Sequence, residues 1–234
     1  MTVGSDKKET YRQEYLAMDA EERGMFDSWT GAIKRLTGFG LTPEEQKKRR
    51  LMNDFNRDLH DCRQCEKWRN ELLQTSPLVT FMAQHLKSSG FDVAKDNIDC
   101  VKCGEMRSGG YAPGGQIQLC YNQLFGKGHA ETTLAHEMIH AYDDTNFKLD
   151  WYNLEHHACT EIRAASLSGD CTWFQEAMRG NLGFLKHHQT CVKRRAALSV
   201  RANPNCKSKQ HADAAVNKVF NSCFTDTRPF EEIY

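Results

Sequence analysis

The segment at residues 136–140 constrains the fold of this chain more than any other, because it places two histidines four residues apart around a glutamate. On an α-helix, residues four apart lie on one face, so His136 and His140 can bind one metal ion together. Glu137 follows the first histidine directly, in the position of a general base that takes a proton from water. The segment therefore predicts a helix that carries two zinc ligands and one catalytic residue.

The residues around this segment favour a buried helix. Six apolar side chains frame the three polar ones: Leu134, Ala135, Met138, Ile139, Ala141 and Tyr142. Such a frame is typical of a helix that lies behind a cleft. We predict that the helix begins near Thr132 or Thr133, since a threonine hydroxyl can cap the first turn. The alternative is that both histidines are ordinary helix-face residues and that the glutamate is a solvated charge.

A third ligand is needed, because a catalytic zinc site normally has three protein ligands and a water molecule. A histidine six residues after His140 is excluded, since that position is Asn146. Glu161 lies 21 residues after His140 on the next predicted helix, among small alanines. A glutamate buried there needs a partner. We therefore predict Glu161 as the third ligand, with His156 and His157 as alternatives.

Two further roles stay open among the neighbouring polar residues. Asp143 or Asp144 can be the acceptor that orients a ligand imidazole, although an acidic residue in the loop after a helix is the commoner case. The donor to the oxyanion of a tetrahedral intermediate is one of four residues: Tyr142, His156, His157 and Arg163.

The chain contains ten cysteines: Cys62, Cys65, Cys100, Cys103, Cys120, Cys159, Cys171, Cys191, Cys206 and Cys223. This even and high number indicates an oxidising compartment. Residues 1–11, however, have neither the apolar core of a secretory signal nor the arginine-rich pattern of a matrix presequence. The mitochondrial intermembrane space fits both observations, and we predict up to five disulfides with unknown pairing.

The alternative for four of these cysteines is a structural zinc site. The two Cys-x-x-Cys units at 62–65 and 100–103 have the ligand spacing of a zinc ribbon. They are separated by 34 residues, which is longer than the usual spacing of roughly 15–20.

The caps and the apolar pattern predict an α+β fold that is mostly helical, with a small β-sheet ahead of the helix at 136–140. Residues 1–40 are predicted to be a flexible arm, and residues 41–234 one disulfide-linked domain. Predicted helices cover 43–59, 64–73, 77–89, 154–167 and parts of 172–222 with an interruption at 203–205; predicted strands cover 98–103 and 116–121, with a turn at 111–115. This order is that of the zincin metalloproteases.

The strand at 116–121 comes before the active helix and alternates polar and apolar residues. We predict that it is the edge of the sheet beside the cleft, where an extended peptide can add as a further strand. The alternative is an ordinary central strand.

Charge and hydropathy exclude several classes of protein. The 31 basic residues balance the 31 acidic ones, so no net field favours nucleic acid. No apolar run reaches the roughly 18 residues that span a bilayer. The basic run at 47–50 lies on a predicted helix. We interpret it as a solvated helix face, with contact to lipid or to an acidic partner as the alternative.

The chain resembles a known family in two stretches, residues 136–143 and 155–164, and in the layout of its ten cysteines. It is the family of mitochondrial inner-membrane metalloproteases that mature subunit 6 of ATP synthase and assist assembly of the membrane sector. The resemblance covers about residues 55–230. It implies that Glu137 is the catalytic residue and that His136 and His140 bind zinc.

The resemblance also implies a location and partners. A protein of this kind is held peripherally on the inner membrane, faces the intermembrane space and folds there by oxidation. Its partners are the subunit 6 precursor and assembly intermediates of the membrane sector. It has two separable activities, proteolysis and a chaperone role that does not need the glutamate.

Two alternatives remain at the level of sequence. The first is an assembly chaperone with little proteolytic role. The second is a nuclear, repair-linked zinc protease with a zinc ribbon; such proteins tend to place the ribbon after the active helix, whereas both Cys-x-x-Cys units here precede it.

Overall fold

A computed structural model describes residues 37, 41–93, 97–104, 107–172 and 187–231. The chain divides into two compact units, Met1–Gln64 and Cys65–Tyr234. The arm predicted at residues 1–40 lies outside the described residues, except for Thr37. Its boundary with the domain therefore stays a prediction.

Helix α1, Pro43–Thr75, begins with the cap that the sequence predicts. The amide of Glu45 donates to the Thr42 hydroxyl, and the amide of Thr42 donates to the Glu45 carboxylate. The predicted interruption between residues 59 and 64 is wrong, since α1 continues for 33 residues. Residues 60–63 contain neither glycine nor proline, so nothing in the backbone stops the helix there.

Helix α2, Pro77–Ser88, confirms its predicted start and end. Ser76 is the N-cap and accepts a hydrogen bond from the amide of Val79, while Pro77 occupies the first position. The inner face that the periodicity predicts, formed by Val79, Met82 and Leu86, is fully buried.

Within the described part of the chain, the sheet contains three strands: β1, Ile98–Val101; β2, Gly109–Ala112; and β3, Gln116–Cys120. Their order is β1-β3-β2, with β1 parallel and β2 antiparallel to β3. The prediction that the strand before the active helix forms the sheet edge is therefore wrong, because β3 is central. Strand β2 was not predicted, since its two glycines are poor strand formers and its other residues were assigned to the turn.

Helix α3, Lys127–Asn146, carries the segment at 136–140. Its N-cap is Gly126, six residues before Thr132, and the Thr132 hydroxyl donates to the His129 carbonyl inside the first turns. The predicted threonine cap is therefore wrong. Helix α4, Leu154–Leu167, has the predicted bounds, with Asn153 as its cap and Gly169 at a φ of 80° just after its end.

Helices α5, His187–Arg201, and α6, Lys209–Phe224, pack with α4 around an apolar core. The predicted interruption at 203–205 separates them, whereas residues 173–186 lie outside the described residues. The core contains Ala158, Ile162, Val192, Ala196, Val216 and Phe220, among others. Among the described residues, none of the helices combines the length and the apolar character that a membrane span requires.

Eight of the ten cysteines form four disulfides: Cys65–Cys100, Cys103–Cys120, Cys159–Cys223 and Cys171–Cys191. Cys62 and Cys206 lie outside these bonds. The first two bonds involve three of the four cysteines of the alternative zinc ribbon. A cysteine in a disulfide has no thiolate to offer a metal, so the ribbon is excluded. The chain is thus mostly helical, with a small sheet and disulfide crosslinks.

Candidate metal centre and active site

The three predicted ligands lie together where α3 and α4 pack against each other. His136 and His140 project from α3 and Glu161 from α4, and one ligand atom of each lies within 4.8 Å of the others. His136 Nε2 is 3.5 Å from Glu161 Oε2, and His140 Nε2 is 3.4 Å from Glu161 Oε1. His140 and Glu161 are buried and His136 nearly so.

These distances fit a single tetrahedral ion. Ligand atoms about 2.0–2.2 Å from such an ion lie about 3.3–3.6 Å from each other. Two imidazoles and one carboxylate also form the donor set of a common class of catalytic zinc site. Burial raises the pKa of Glu161, but His140, His136 and His157 more than offset this and hold it well below its usual value. Glu161 is thus a carboxylate, the form in which it can bind a cation.

The carboxylate of Glu161 is oriented by two further contacts. Ser199 of α5 donates to its Oε1 at 2.5 Å, and His157 Nε2 lies 3.4 Å from the same oxygen. The side-chain amide of Asn203 donates to His157 Nδ1 at 2.9 Å and to the Trp151 carbonyl. His157 Nδ1 therefore accepts, so the proton of the neutral ring is on Nε2, which faces Glu161.

The other candidates for the third ligand are placed differently from Glu161. His157 contacts Glu161 rather than the α3 histidines. His156 is exposed, and its Nδ1 accepts from the backbone amide of Asp150. Of the three candidates, Glu161 is the residue that lies beside both histidines of α3.

Glu137 is buried at the point where strand β2 meets α3. A Cβ atom at Gly109 would lie 2.9 Å from Glu137 Oε1 and 2.7 Å from the Thr133 methyl group. Only glycine therefore allows β2 to approach α3 this closely. Burial raises the pKa of Glu137 to about 7, and the neighbouring His140 acts against that rise. A carboxyl group with such a pKa can accept and release a proton near neutral pH.

The sequence model of the Peptidase M76 family matches residues 63–231, which include this whole cluster. The chain belongs to the peptidase M76 family. It is 48% identical over 213 residues to the mitochondrial inner membrane protease ATP23 of Coccidioides immitis, covering 89% of this chain and 90% of that protein. It is 47% identical over 221 residues to the protein of the same name from Kluyveromyces lactis, with coverage of 89% and 90%. No solved structure matches the chain.

In this M76 peptidase, an aromatic pair lies beside His140. The Trp151 ring is 5.7 Å from the His140 ring and 5.9 Å from the Tyr111 ring of β2. Asp144 joins the pair, since it accepts from Tyr111 Oη at 2.8 Å and from Trp151 Nε1 at 3.0 Å. Burial and this contact raise the pKa of Tyr111. Nothing in the local sequence indicated that Tyr111 or Trp151 would lie at the site.

The two aspartates after the active helix segment of the M76 peptidase do not contact an imidazole directly. Asp144 binds the aromatic pair, and Asp143 binds Arg163 with distances of 3.0 and 3.2 Å from Nε. The group that contacts His140 Nδ1 is instead the hydroxyl of Thr160, at 2.9 Å. Arg163 is buried in its contact with Asp143, so it is not placed to be the oxyanion donor.

Proposed function

We propose that this M76 peptidase is a zinc metalloendopeptidase with a zincin-like fold, in which His136, His140 and Glu161 bind the metal and Glu137 is the catalytic residue. The observation that carries the proposal is the His-His-Glu cluster, in which Nε2 of His136 and Nε2 of His140 lie 3.5 and 3.4 Å from the Glu161 carboxylate oxygens. A buried carboxyl group, Glu137, lies next to that cluster on the same helix. The family match supports proteolysis as the reaction.

The reaction is hydrolysis of a peptide bond. A bound zinc ion supplies Lewis acidity, which polarises the scissile carbonyl and acidifies a water molecule. Glu137 accepts the proton of that water at its carboxylate and then returns it to the leaving amine. Its burial beside β2 keeps the carboxyl group out of bulk solvent, and its raised pKa suits both halves of this transfer.

Strand β2, rather than the predicted β3, is the sheet edge that lies beside Glu137. An extended substrate added to β2 by main-chain hydrogen bonds would run past the glutamate. Gly109 brings this edge directly against Glu137, since a side chain there would meet the carboxylate. Tyr111 and Trp151 then form the apolar wall at the end of β2.

The place of action that we propose is the inner membrane of mitochondria, with peripheral attachment on the intermembrane-space side. The names of the relatives support the membrane, and four disulfides support an oxidising compartment. The resemblance of residues 136–143 and 155–164 supports the substrate, the precursor of ATP synthase subunit 6. It also supports a second, chaperone role toward intermediates of membrane-sector assembly.

The test is the substitution Glu137→Gln, which keeps the size of the side chain and removes its basicity. Cleavage of the subunit 6 precursor should fall at least about 100-fold, because general-base catalysis contributes that much or more. Bound zinc, measured on the purified protein, should be unchanged. Assembly of ATP synthase should continue if the chaperone role is separate.

The matched control is Glu155→Gln on α4, since Glu155 is a surface residue that binds Lys218. Its cleavage rate should equal that of the unmodified protein. A Glu137→Gln protein that cleaves at the normal rate would contradict the proposed mechanism. A protein that binds no zinc would contradict the proposed metal centre.

A further inference from the structure

The two histidines of the cluster differ at the ring nitrogen that faces away from Glu161. His140 Nδ1 lies 2.9 Å from the buried hydroxyl of Thr160. His136 Nδ1 is buried and has no hydrogen-bond partner among the described residues. Of the two imidazoles, only that of His140 therefore has a contact at both ring nitrogens within the described residues, Nδ1 with Thr160 and Nε2 with Glu161. A neutral imidazole carries one proton, so His140 Nε2 has a free lone pair only if the proton is on Nδ1.

Thr160 is itself part of a longer chain of contacts. Its hydroxyl also hydrogen-bonds the Asp143 carboxyl group, which receives Arg163 Nε at 3.0 and 3.2 Å. Burial raises the pKa of Asp143, and the Arg163 guanidinium and the Thr160 hydroxyl act against that rise. Because a guanidinium keeps its charge in proteins, it favours the carboxylate form, which only accepts hydrogen bonds.

The carboxylate form of Asp143 sets the direction of both hydrogen bonds of the Thr160 hydroxyl. The Thr160 hydroxyl has a single hydrogen and donates it to the Asp143 carboxylate. Its oxygen is then left to accept, so the partner, His140 Nδ1, must be the donor. The repeat of the helices makes this arrangement possible, because His140 and Asp143 are three residues apart on α3, and Thr160 and Arg163 are three apart on α4.

Arg163 is held in turn by the segment that follows α6. Its Nη1 donates to the Asp226 carbonyl at 2.5 Å and lies 2.8 Å from the Asp226 carboxylate. Its Nη2 donates to the Arg228 carbonyl. All three guanidinium nitrogens are therefore bonded, and the side chain is only 2% exposed. These contacts fix the position of the Arg163 guanidinium and, through it, the position of the Asp143 carboxylate.

We propose that Thr160 and Asp143 are positioning residues of the metal centre, which hold His140 in the tautomer and orientation that present Nε2 to the metal. Arg163, anchored by residues 226–228, holds Asp143 in place. The proposal rests on the metal centre proposed above. We call the chain of contacts from Arg163 through Asp143 and Thr160 to His140 the relay. His136 has no equivalent support in the described residues, so the relay acts on one ligand only.

The test is Thr160→Val, which keeps the shape of the side chain and removes the hydroxyl. Zinc affinity of the purified, oxidised protein is measured by competition with a chromophoric chelator. We expect affinity to fall about 10- to 100-fold, as is common when such a supporting partner of a ligand is lost. Thr160→Ser, which keeps the hydroxyl, should restore affinity to nearly the original value.

The matched control is Thr145→Val on α3, because the Thr145 hydroxyl donates only to the Ala141 carbonyl of its own helix. Its zinc affinity should equal that of the unmodified protein. Equal affinity of the Thr160→Val and unmodified proteins would overturn the relay, whereas an unmodified protein that binds no zinc would overturn the metal centre itself. Equal weakening by Thr160→Ser would also overturn the relay.

A second measurement does not depend on the folding of any variant. Nitrogen-15 NMR of the zinc-loaded, unmodified protein reports which ring nitrogen of His140 carries the proton. We expect the proton on Nδ1. A ring with its proton on Nε2 would overturn the proposal.

Discussion

Helices α3 and α4 both supply ligands to the candidate metal centre, but they position their side chains by different means. On α3, one five-residue segment provides His136, His140 and Glu137, and the helical repeat alone places the two imidazoles together. On α4, Glu161 is oriented by Ser199 of another helix and by His157. The geometry of α3 is thus local, whereas that of α4 is built from tertiary contacts.

The disulfides follow the same division. Helix α3 contains no cysteine. Helix α4 is joined to α6 by Cys159–Cys223, and the loop after α4 is joined to α5 by Cys171–Cys191. Two of the four disulfides therefore lie on the side of the site where the local sequence does not define the position of the ligand. From this difference between α3 and α4 we expect three further effects, in addition to those for Glu137 and Thr160.

The largest effect is expected from removing the Cys159–Cys223 disulfide by replacing both residues with alanine. The bond closes a separation of 64 residues, so the free energy of unfolding should fall by about 4 kcal/mol in urea titrations. Zinc affinity should fall as well, because α4 loses its link to α6.

The control is the same double replacement at Cys103 and Cys120, whose separation is 17 residues. It should lower the free energy of unfolding by about 3 kcal/mol. Its effect on zinc affinity should be smaller, since this bond lies in the sheet region. If the two variants lost zinc affinity equally, the disulfides would not be specific to the α4 side of the site.

A smaller effect is expected from Gly109→Ala, which tests the contact of β2 with α3. The new methyl group would lie 2.7 Å from the Thr133 methyl and 2.9 Å from Glu137 Oε1, so the strand must move. A displacement of about 1 Å at a catalytic group lowers kcat by about 100-fold. Peptide cleavage is the measurement, and zinc content should not change.

Gly128→Ala is the matched control for this substitution. A Cβ atom at Gly128 would have nothing within 4 Å, and the residue lies in the first turn of α3. It should leave cleavage unchanged and increase the free energy of unfolding by up to about 1 kcal/mol. Normal cleavage by Gly109→Ala would show that the close approach of β2 does not matter for catalysis.

The smallest effect is expected from Ser199→Ala, which removes one donor to Glu161 Oε1. Zinc affinity should fall about tenfold, because His157 still contacts the same carboxylate. Ser88→Ala, whose hydroxyl donates only to a carbonyl of its own helix, is the control and should have no effect. An unchanged affinity in Ser199→Ala would mean that α4 positions Glu161 by its backbone alone.

The errors of the sequence prediction in the sheet have a common origin. An alternating strand such as β3 has the same pattern at the centre of a sheet and at its edge, since only pairing with other strands decides the order. Strand β2 was missed because its two glycines are poor strand formers, and only the packing shows that Gly109 allows the close approach to α3. The pairing of cysteines is likewise a property of the folded chain.

Local physical chemistry was enough for the caps at Thr42 and Ser76, for the bounds of α4 and for the close approach of His136 and His140, because each depends on residues within one or two helical turns. The family itself was also readable from the sequence. Only the tertiary structure placed Glu161 between those histidines, brought Gly109 against Glu137 and put Thr160 behind His140. These residues come from different elements of the chain, and only the packing of α3, α4 and the sheet brings them within a few ångströms of each other.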